Sequence, residues 1–202
     1  MSEWENWKPA AETSVHVLSV LIPTIDGREA MLEKVKEAFR ELHGDTVEIL
    51  STKGYSWGAG INELTNMASG QYWLFACDDT IPQPGWFDAA RAMVDEGLTP
   101  ASRYFHKDGT PLHERDVQPH GTPVEWCRSF LVTRQIWEEI GTMIDTTWWA
   151  DIDYSERLDA SGRTVTACDG YNFTHLDSER TWLTTEEEDR QRKVYEEAKR
   201  CS

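Results

Sequence analysis

Two adjacent carboxylates, Asp78 and Asp79, follow an apolar segment at residues 72–77 that has the composition of a buried strand. Two like charges at the tip of a buried strand are unfavourable unless a cation neutralises them. Carboxylate oxygens suit Mg²⁺ and Mn²⁺, and an ion of this kind with few protein ligands commonly binds the phosphates of a nucleotide. The pair therefore indicates a metal-bound nucleotide site. The alternative is that both residues only cap the turn that follows them.

The first half of the chain alternates between predicted strands and predicted helices. Near-continuous apolar runs predict buried strands, and apolar residues at helical spacing predict helices. We expect strands at residues 15–22, 47–50 and 72–77, helices at 29–42, 61–68 and 86–94, and a glycine turn at 58–60. This alternation predicts a parallel, Rossmann-like sheet, in which ligands bind beyond the carboxyl ends of the strands. Residues 23–26 and the Asp78–Asp79 pair are both expected at that edge.

The second half is less regular. Residues 107–123 are rich in Gly, Pro, Asp and His and predict a hairpin or a mobile loop. Beyond them we expect strands at 124–133 and 164–168, and helices at 134–140, 154–160 and 184–200. Asp153 and Arg157 are four residues apart, which predicts an ion pair on one helix face and leaves Asp151 outside that pair.

Length, cysteine usage and charge restrict the class of protein. At 202 residues the chain fits a single domain, and no window approaches the roughly 20 apolar residues that span a membrane. The N-terminus lacks the basic and apolar regions of a secretory signal. The four cysteines are far apart and form no CxxC pair, which predicts neither a zinc site nor a disulfide framework and favours a reducing cytoplasm. The net charge of −16 argues against general nucleic-acid binding.

Residues 68–87 (ASGQYWLFACDDTIPQPGWF) resemble the core signature of glycosyltransferase family 2. That signature is a small-residue turn, a hydrophobic strand, an acidic cluster, then a proline and the start of an apolar helix. Other segments resemble the family in order: the opening strand and nucleotide-contacting loop at 20–24, a helix start facing the sugar-nucleotide at 59–62, the segment before the acceptor site at 136–145, and the block that carries the catalytic base at 149–158. The resemblance covers roughly residues 15–180.

The resemblance implies a GT-A fold, which is a single compact α/β domain whose Rossmann-like, mixed but mostly parallel sheet is flanked by helices. It also implies an inverting, hexosyltransferase-like enzyme that moves a sugar from a nucleoside-diphosphate sugar to an acceptor hydroxyl. Asp151 would be the general base, and Asp79 with His175 would bind Mn²⁺ or Mg²⁺ as the cofactor. The nucleotide-sugar would contact Pro23, Thr24, Asp26, Arg28, Asn62 and Asp78.

Two neighbouring tryptophans, Trp148 and Trp149, precede Asp151. Aromatic faces pack against the apolar side of sugar rings, although most tryptophans pack in protein cores. Because the resemblance implies the acceptor site at this point of the chain, we expect both to bind the acceptor. The acceptor is expected to be a soluble glycan, a protein or a modified nucleobase. Only the last of these would make nucleic acid a partner, and no membrane partner is expected.

The sequence departs from the family pattern at three places. Cys77 stands where the family often has a carboxylate, residues 51–53 replace an acidic residue that contacts the nucleoside, and Ala150 replaces a glutamate. The departure at residues 51–53 leaves the identity of the nucleoside open, and UDP is the default nucleoside diphosphate. Two other functions stay open. One is a nucleotidyltransferase acting on a sugar phosphate, for which Arg28 supplies only one basic residue after the first strand. The other is a nucleotide-sugar-binding protein without catalysis, which the presence of Asp151 disfavours.

These expectations divide the chain into four parts. An N-terminal extension covers residues 1–14, and a nucleotide-sugar-binding half covers 15–100. An acceptor-binding and catalytic-base half covers 101–183, and a C-terminal helix covers 184–202.

Overall fold

The computed structural model describes residues 16–176 and 184–201, so the predicted N-terminal extension at 1–14 lies outside the described residues. The strands in these ranges are β1 (Leu18–Thr24), β2 (Val47–Lys53), β3 (Tyr72–Phe75), β4 (Thr80–Pro82), β5 (Thr99–Phe105), β6 (Phe130–Thr133) and β7 (Val165–His175). The α-helices are α1 (Glu29–His43), α2 (Trp57–Thr65), α3 (Trp86–Asp95), α4 (Arg134–Ile140), α5 (Ala150–Ala160) and α6 (Thr185–Cys201). Short 3₁₀ segments occur at Gly44–Thr46 and Glu114–Val117.

The larger sheet has the strand order β2-β1-β3-β6. Strand β1 is parallel to both β2 and β3, whereas β6 pairs with β3 in the antiparallel direction. Every residue of β1 is buried, as expected for a strand with an apolar run and neighbours on both sides. Helix α1 packs its buried stripe of Leu32, Val35 and Phe39 into the core. The carboxyl ends of β1 and β3 therefore meet at one edge of this sheet.

A second, smaller sheet has the order β4-β7-β5, with β7 antiparallel to β4 and parallel to β5. The register places His175, the last residue of β7, opposite Thr80. The backbone N–H of Leu176 also donates a hydrogen bond of 2.7 Å to the carbonyl oxygen of Asp79. The small sheet thus carries His175 to the residues that follow β3.

The turn predicted at residues 58–60 is wrong, because these residues belong to the first turn of α2. A β-carbon on Gly58 would lie 2.0 Å from the carbonyl oxygen of Ile144, and one on Gly60 would lie 2.6 Å from Cβ of Pro23. These glycines therefore permit close packing of the helix against β1 and against the loop before α5. Helix propensity is overridden here by tertiary packing.

Strand boundaries in the second half also differ from the prediction. The strand expected at 124–133 is limited to β6, and the strand expected at 164–168 continues as β7 to His175. Strands β4 and β5 lie in segments for which the sequence predicts no strand. Segment 107–123 has no strand, and it contains the 3₁₀ turn Glu114–Val117.

Candidate functional site

A cavity of about 470 Å³ opens at the edge where β1 and β3 end. Pro23 and Thr24 line it from β1, residues 77–79 line it from the segment after β3, and Asp151 lines it from the first turn of α5. The cavity therefore lies beyond the carboxyl ends of parallel strands, as the alternation of elements predicts.

The acidic pair is neutralised by an arginine. Nη2 of Arg28 lies 3.3 Å from Oδ1 of Asp78 and 2.8 Å from Oδ2 of Asp79. The hydroxyl of Thr24 donates a hydrogen bond of 2.6 Å to Oδ2 of Asp78. Burial raises the pKa of Asp78, whereas the Thr24 hydrogen bond and the charge of Arg28 act in the opposite direction. Arg28 thus supplies a cation to both carboxylates.

Asp79 and His175 are close enough to share one ion. Nε2 of His175 lies 3.6 Å from Oδ2 of Asp79, and both side chains line the cavity. Imidazole and carboxylate are ligands that Mn²⁺ accepts, so this pair of donors fits a divalent ion. Within residues 16–176 and 184–201, no group of three or more His, Cys, Asp or Glu side chains is arranged around a metal position. An ion bound here would take its other ligands from a substrate or water.

Asp151 is a carboxylate with an altered proton affinity. Burial raises its pKa from 3.8 to about 7, and the backbone N–H of Ile152 together with the charges of Arg115 and Arg128 limits the rise. That N–H donates a hydrogen bond of 2.9 Å to Oδ1 of Asp151. A carboxylate with a pKa near neutrality in a cavity is suited to accepting a proton at physiological pH.

The predicted ion pair between Asp153 and Arg157 is present, at 2.7 Å. Arg157 also donates to the carbonyl oxygens of Ile140 and Thr142, so this pair joins α5 to the end of α4 and the loop that follows. Asp153 therefore has a structural partner, whereas Asp151 faces the cavity.

Cys77 directly precedes the acidic pair. Its side chain lines the cavity, and burial, with Asp79 and Asp78 nearby, raises its pKa well above the ordinary value. The thiol is therefore neutral at physiological pH. The cluster has two negative charges where a third carboxylate would give three.

Two residues predicted to contact the nucleotide-sugar are not among those that line the cavity. The side chain of Asp26 is 89% exposed, and Lys53 pairs with it at 2.5 Å. The side chain of Asn62 exchanges hydrogen bonds of 2.9 Å with both the N–H and the carbonyl oxygen of Met143. Asn62 thus holds the loop before α5 against α2. Of the residues predicted for this contact, Pro23, Thr24, Arg28 and Asp78 do line the cavity.

Trp148 and Trp149 form one wall of the cavity, and helix α6 holds them. Oε1 of the buried Gln191 accepts hydrogen bonds from the backbone N–H groups of Thr147, at 2.9 Å, and Trp148, at 3.1 Å. The Trp149 ring stacks on Tyr195 with 5.2 Å between centroids. Helix α6 also contributes Glu188 to the cavity lining, which the sequence analysis does not anticipate. Nothing local in the sequence indicates that this helix reaches the site.

A basic and aromatic cluster also lines the cavity. His113, Trp126 and Arg128 line the cavity. The guanidinium carbons of Arg115 and Arg128 lie 3.6 and 5.2 Å from the centre of the Trp126 ring. Both arginines share one fully buried carboxylate, Asp116, at 3.9 and 3.5 Å. Two guanidinium groups with one carboxylate leave a local positive charge beside the cavity.

No protein-family model matches the chain, and no curated protein matches it. Among solved structures, the crystal structure of GalNAc-T7 with UDP, GalNAc and Mn²⁺ matches 90% of the chain with a TM-score of 0.59 and 12% sequence identity. The chain has a GT-A-like fold. It spans about half of its structural neighbour, covering 48% of that chain. At this identity the likeness establishes the fold, and the predicted fold class is confirmed. Within the described residues, no helix is long and apolar enough to cross a membrane.

Proposed function

We propose that this chain is a metal-dependent glycosyltransferase that transfers a sugar from a nucleoside-diphosphate sugar to an acceptor hydroxyl. One observation carries the proposal: in a GT-A-like fold, a single cavity is lined by the acidic pair Asp78–Asp79, His175 and Asp151. The structural neighbour was crystallised with UDP and Mn²⁺, which supports a nucleotide and a divalent ion as the ligands here. Membership of glycosyltransferase family 2 stays a prediction.

The donor half of the proposed site comprises Pro23, Thr24, Arg28, Asp78 and Asp79. Asp79 and His175 would bind Mn²⁺ or Mg²⁺, which neutralises a diphosphate and stabilises the charge that develops on the leaving group. Asp78, held by the Thr24 hydroxyl, would accept a hydrogen bond from the ribose or contact the metal. Arg28 supplies a further positive charge for the diphosphate. UDP is the default nucleoside diphosphate.

Asp151 is the proposed general base. As the acceptor oxygen forms its bond to the anomeric carbon, the bond from that carbon to the diphosphate oxygen breaks, and the acceptor proton moves to a carboxylate oxygen of Asp151. The pKa of about 7 supports this role, because a base is most effective when its pKa lies near the working pH. One displacement without a covalent intermediate inverts the anomeric configuration.

The acceptor would bind against the aromatic wall of Trp148 and Trp149, and Trp126 also lines the cavity. Flat aromatic faces suit the apolar side of a sugar ring or a nucleobase. A soluble glycan, a protein side chain and a modified nucleobase all stay within this proposal.

Two measurements test the proposal: titration calorimetry of UDP binding and the melting temperature of the protein with UDP, each with and without Mn²⁺. We expect UDP with Mn²⁺ to raise the melting temperature by about 5 °C at saturating ligand, and UDP with a chelator to raise it far less. Asp79→Asn should weaken UDP binding in Mn²⁺ by about tenfold or more, because it removes one of two protein ligands.

The matched control is Asp88→Asn on α3, whose side chain is 80% exposed and pairs only with Arg91 among the ion pairs described. This variant should bind UDP and Mn²⁺ as the wild type does. If no nucleoside diphosphate stabilises the wild-type protein in Mn²⁺ or Mg²⁺, the proposal is wrong. Tight UDP binding without release of UDP from any UDP-sugar would instead favour a binding protein without catalysis.

A further inference from the structure

The side chain of Arg28 contacts both carboxylates of the acidic pair, one of which is the proposed metal ligand. It precedes α1, its side chain is only 12% exposed, and one nitrogen, Nη2, contacts both carboxylates. The shorter of the two contacts, 2.8 Å, is to Oδ2 of Asp79. Nε2 of His175 lies 3.6 Å from that same oxygen. The oxygen that would bind a metal is therefore already engaged by a guanidinium group.

A divalent ion and the guanidinium group cannot both bind this oxygen without strong repulsion. A metal–oxygen bond is about 2.1 Å long, so the ion would lie within about 5 Å of Nη2 if Arg28 did not move. At that separation three positive charges face two carboxylates whose side chains are only 9% and 15% exposed, so electrostatic interactions there are less screened than in water. A diphosphate changes this balance, because its negative charges can pair with the metal and with the guanidinium group.

We propose that Arg28 is an internal counter-ion that competes with the divalent metal for Asp79, so that the metal binds tightly only together with the nucleoside diphosphate. This inference rests on the proposed function and specifies how its metal site is controlled. The free protein keeps its acidic pair neutralised by Arg28. When the nucleotide binds, its phosphates accept the guanidinium group and Oδ2 of Asp79 becomes available to the ion. Metal and nucleotide then strengthen each other's binding by the same factor, as linkage requires.

The test measures Mn²⁺ affinity directly, by electron paramagnetic resonance of free Mn²⁺ and by calorimetry, in the absence and presence of UDP. In the wild type, we expect UDP to tighten Mn²⁺ binding by about tenfold or more. In Arg28→Met, which keeps an unbranched apolar side chain and removes the charge, Mn²⁺ alone should bind about tenfold tighter than in the wild type. The effect of UDP on Mn²⁺ affinity should be correspondingly smaller in that variant.

Two further variants make the test specific. Arg28→Lys keeps the positive charge, so its affinity for Mn²⁺ alone should stay within about threefold of the wild type. Arg91→Met removes a partly exposed arginine that pairs with Asp88 on α3, and it should leave Mn²⁺ binding unchanged. Melting temperatures of all variants, measured without ligand, identify any that fail to fold. The wild-type comparison with and without UDP needs no variant.

The outcomes separate this inference from the proposed function. If the wild type binds Mn²⁺ equally tightly with and without UDP, or if Arg28→Met binds Mn²⁺ no tighter than the wild type, the competition is wrong while UDP and Mn²⁺ binding still supports the proposed function. If UDP and Mn²⁺ together bind neither protein, the proposed function fails and this inference fails with it. Tightening of Mn²⁺ binding in Arg28→Met and not in Arg28→Lys supports the inference.

Discussion

Asp151 and Asp153 lie two residues apart in α5, and their surroundings give them different chemistry. Asp153 accepts a charge-assisted hydrogen bond from Arg157 at 2.7 Å and is thereby part of the structure. Asp151 faces the cavity, and burial raises its pKa to about 7. Neighbouring carboxylates in contrasting environments are a common way to separate a structural acid from a catalytic one. Sequence spacing alone identifies the first role, since an ion pair needs only the four-residue separation.

On the proposed mechanism, the pKa of Asp151 sets the pH dependence of sugar transfer. Only the ionised carboxylate can accept a proton, so the rate of UDP release from a UDP-sugar should fall about tenfold per pH unit below pH 7 and level off above it. Asp151→Asn should lower this rate by about 100-fold or more, retain UDP binding, and lose this limb of the profile. Initial rates between pH 5 and 9 at saturating metal check both points. A wild-type rate that is constant from pH 5 to 8 would contradict the assignment of the base.

Side-chain direction explains which site residues the sequence could indicate. Asp78 and Asp79 follow a buried strand, and the edge of a parallel sheet is where ligands bind, so their position in the fold follows from the order of elements. Asp26 and Asn62 belong to segments beside the same edge, yet one faces solvent with Lys53 and the other faces Met143. A motif gives the position of a residue along the chain, and only packing decides which way its side chain points.

At the level of elements, the cavity wall formed by Trp148 and Trp149 depends on helix α6, the last helix in the described part of the chain. The segment before α5 carries Trp148 and Trp149, and Gln191 of α6 accepts hydrogen bonds from two of its backbone N–H groups. Tyr195 stacks on Trp149 and donates a hydrogen bond of 2.9 Å to Glu156 of α5. Helix α6 therefore fixes the tryptophan wall relative to α5.

Replacing Gln191 with leucine tests this support. The change removes the side-chain acceptor of the N–H groups of Thr147 and Trp148 in a half-buried position, so the free energy of unfolding should fall by about 1–3 kcal/mol. Urea unfolding followed by tryptophan fluorescence provides the measurement. Lys193→Leu, at an exposed position of the same helix, is the control and should change the free energy by less than about 0.5 kcal/mol. Equal stabilities of the wild type and Gln191→Leu would show that α6 does not support this wall.

Elements with strong periodicity are predictable here, and elements made by long-range pairing are not. Helix α1 and strand β1 follow directly from their apolar patterns. Strand β7 passes through Asp169-Gly170, a dipeptide typical of turns, and Gly170 has a φ of 87°. The chain nevertheless continues as one strand with a bulge at residues 168–171, because β5 pairs with β7 before the bulge and both β5 and β4 pair with it after the bulge. This continuation brings His175 to Asp79, so the pairing of these two side chains cannot be read from local sequence.

For the molecule as a whole, an acidic net charge coexists with a cavity that gathers arginines among its carboxylates. The chain carries a net charge of −16, yet Arg28 and Arg128 line the cavity and Arg115 packs behind it against Trp126. An acidic surface repels polyanions, whereas individual arginines in a cavity wall can pair with the phosphates of a small anion such as a nucleoside diphosphate. The composition predicts the acidic surface, whereas the arginines in the cavity wall depend on which side chains the fold brings together.

The buried carboxylate of Asp151 should lower the stability of the whole fold at neutral pH. The pKa of Asp151 rises from 3.8 to about 7 on folding, so the folded state binds this proton more tightly than the unfolded state does. Ionisation of Asp151 therefore destabilises the fold, with a cost that begins as the pH rises above about 4 and is complete above about 7. Asp151→Asn, which is neutral at every pH, should accordingly stabilise the protein more at high pH than at low pH.

We expect the gain in the free energy of unfolding from Asp151→Asn to be about 2 kcal/mol larger at pH 8 than at pH 5, after allowing for partial access of solvent to the carboxylate. Urea unfolding at pH 5, 6, 7 and 8 measures it. The matched variant Asp153→Asn loses the pair with Arg157 and should destabilise the fold at all four pH values. A gain from Asp151→Asn that does not change between pH 5 and 8 would mean that Asp151 is not desolvated. If Asp151→Asn raises the free energy of unfolding and Asp153→Asn lowers it, the burial of Asp151 costs stability. Such a cost is expected for a residue that is selected for function rather than for folding.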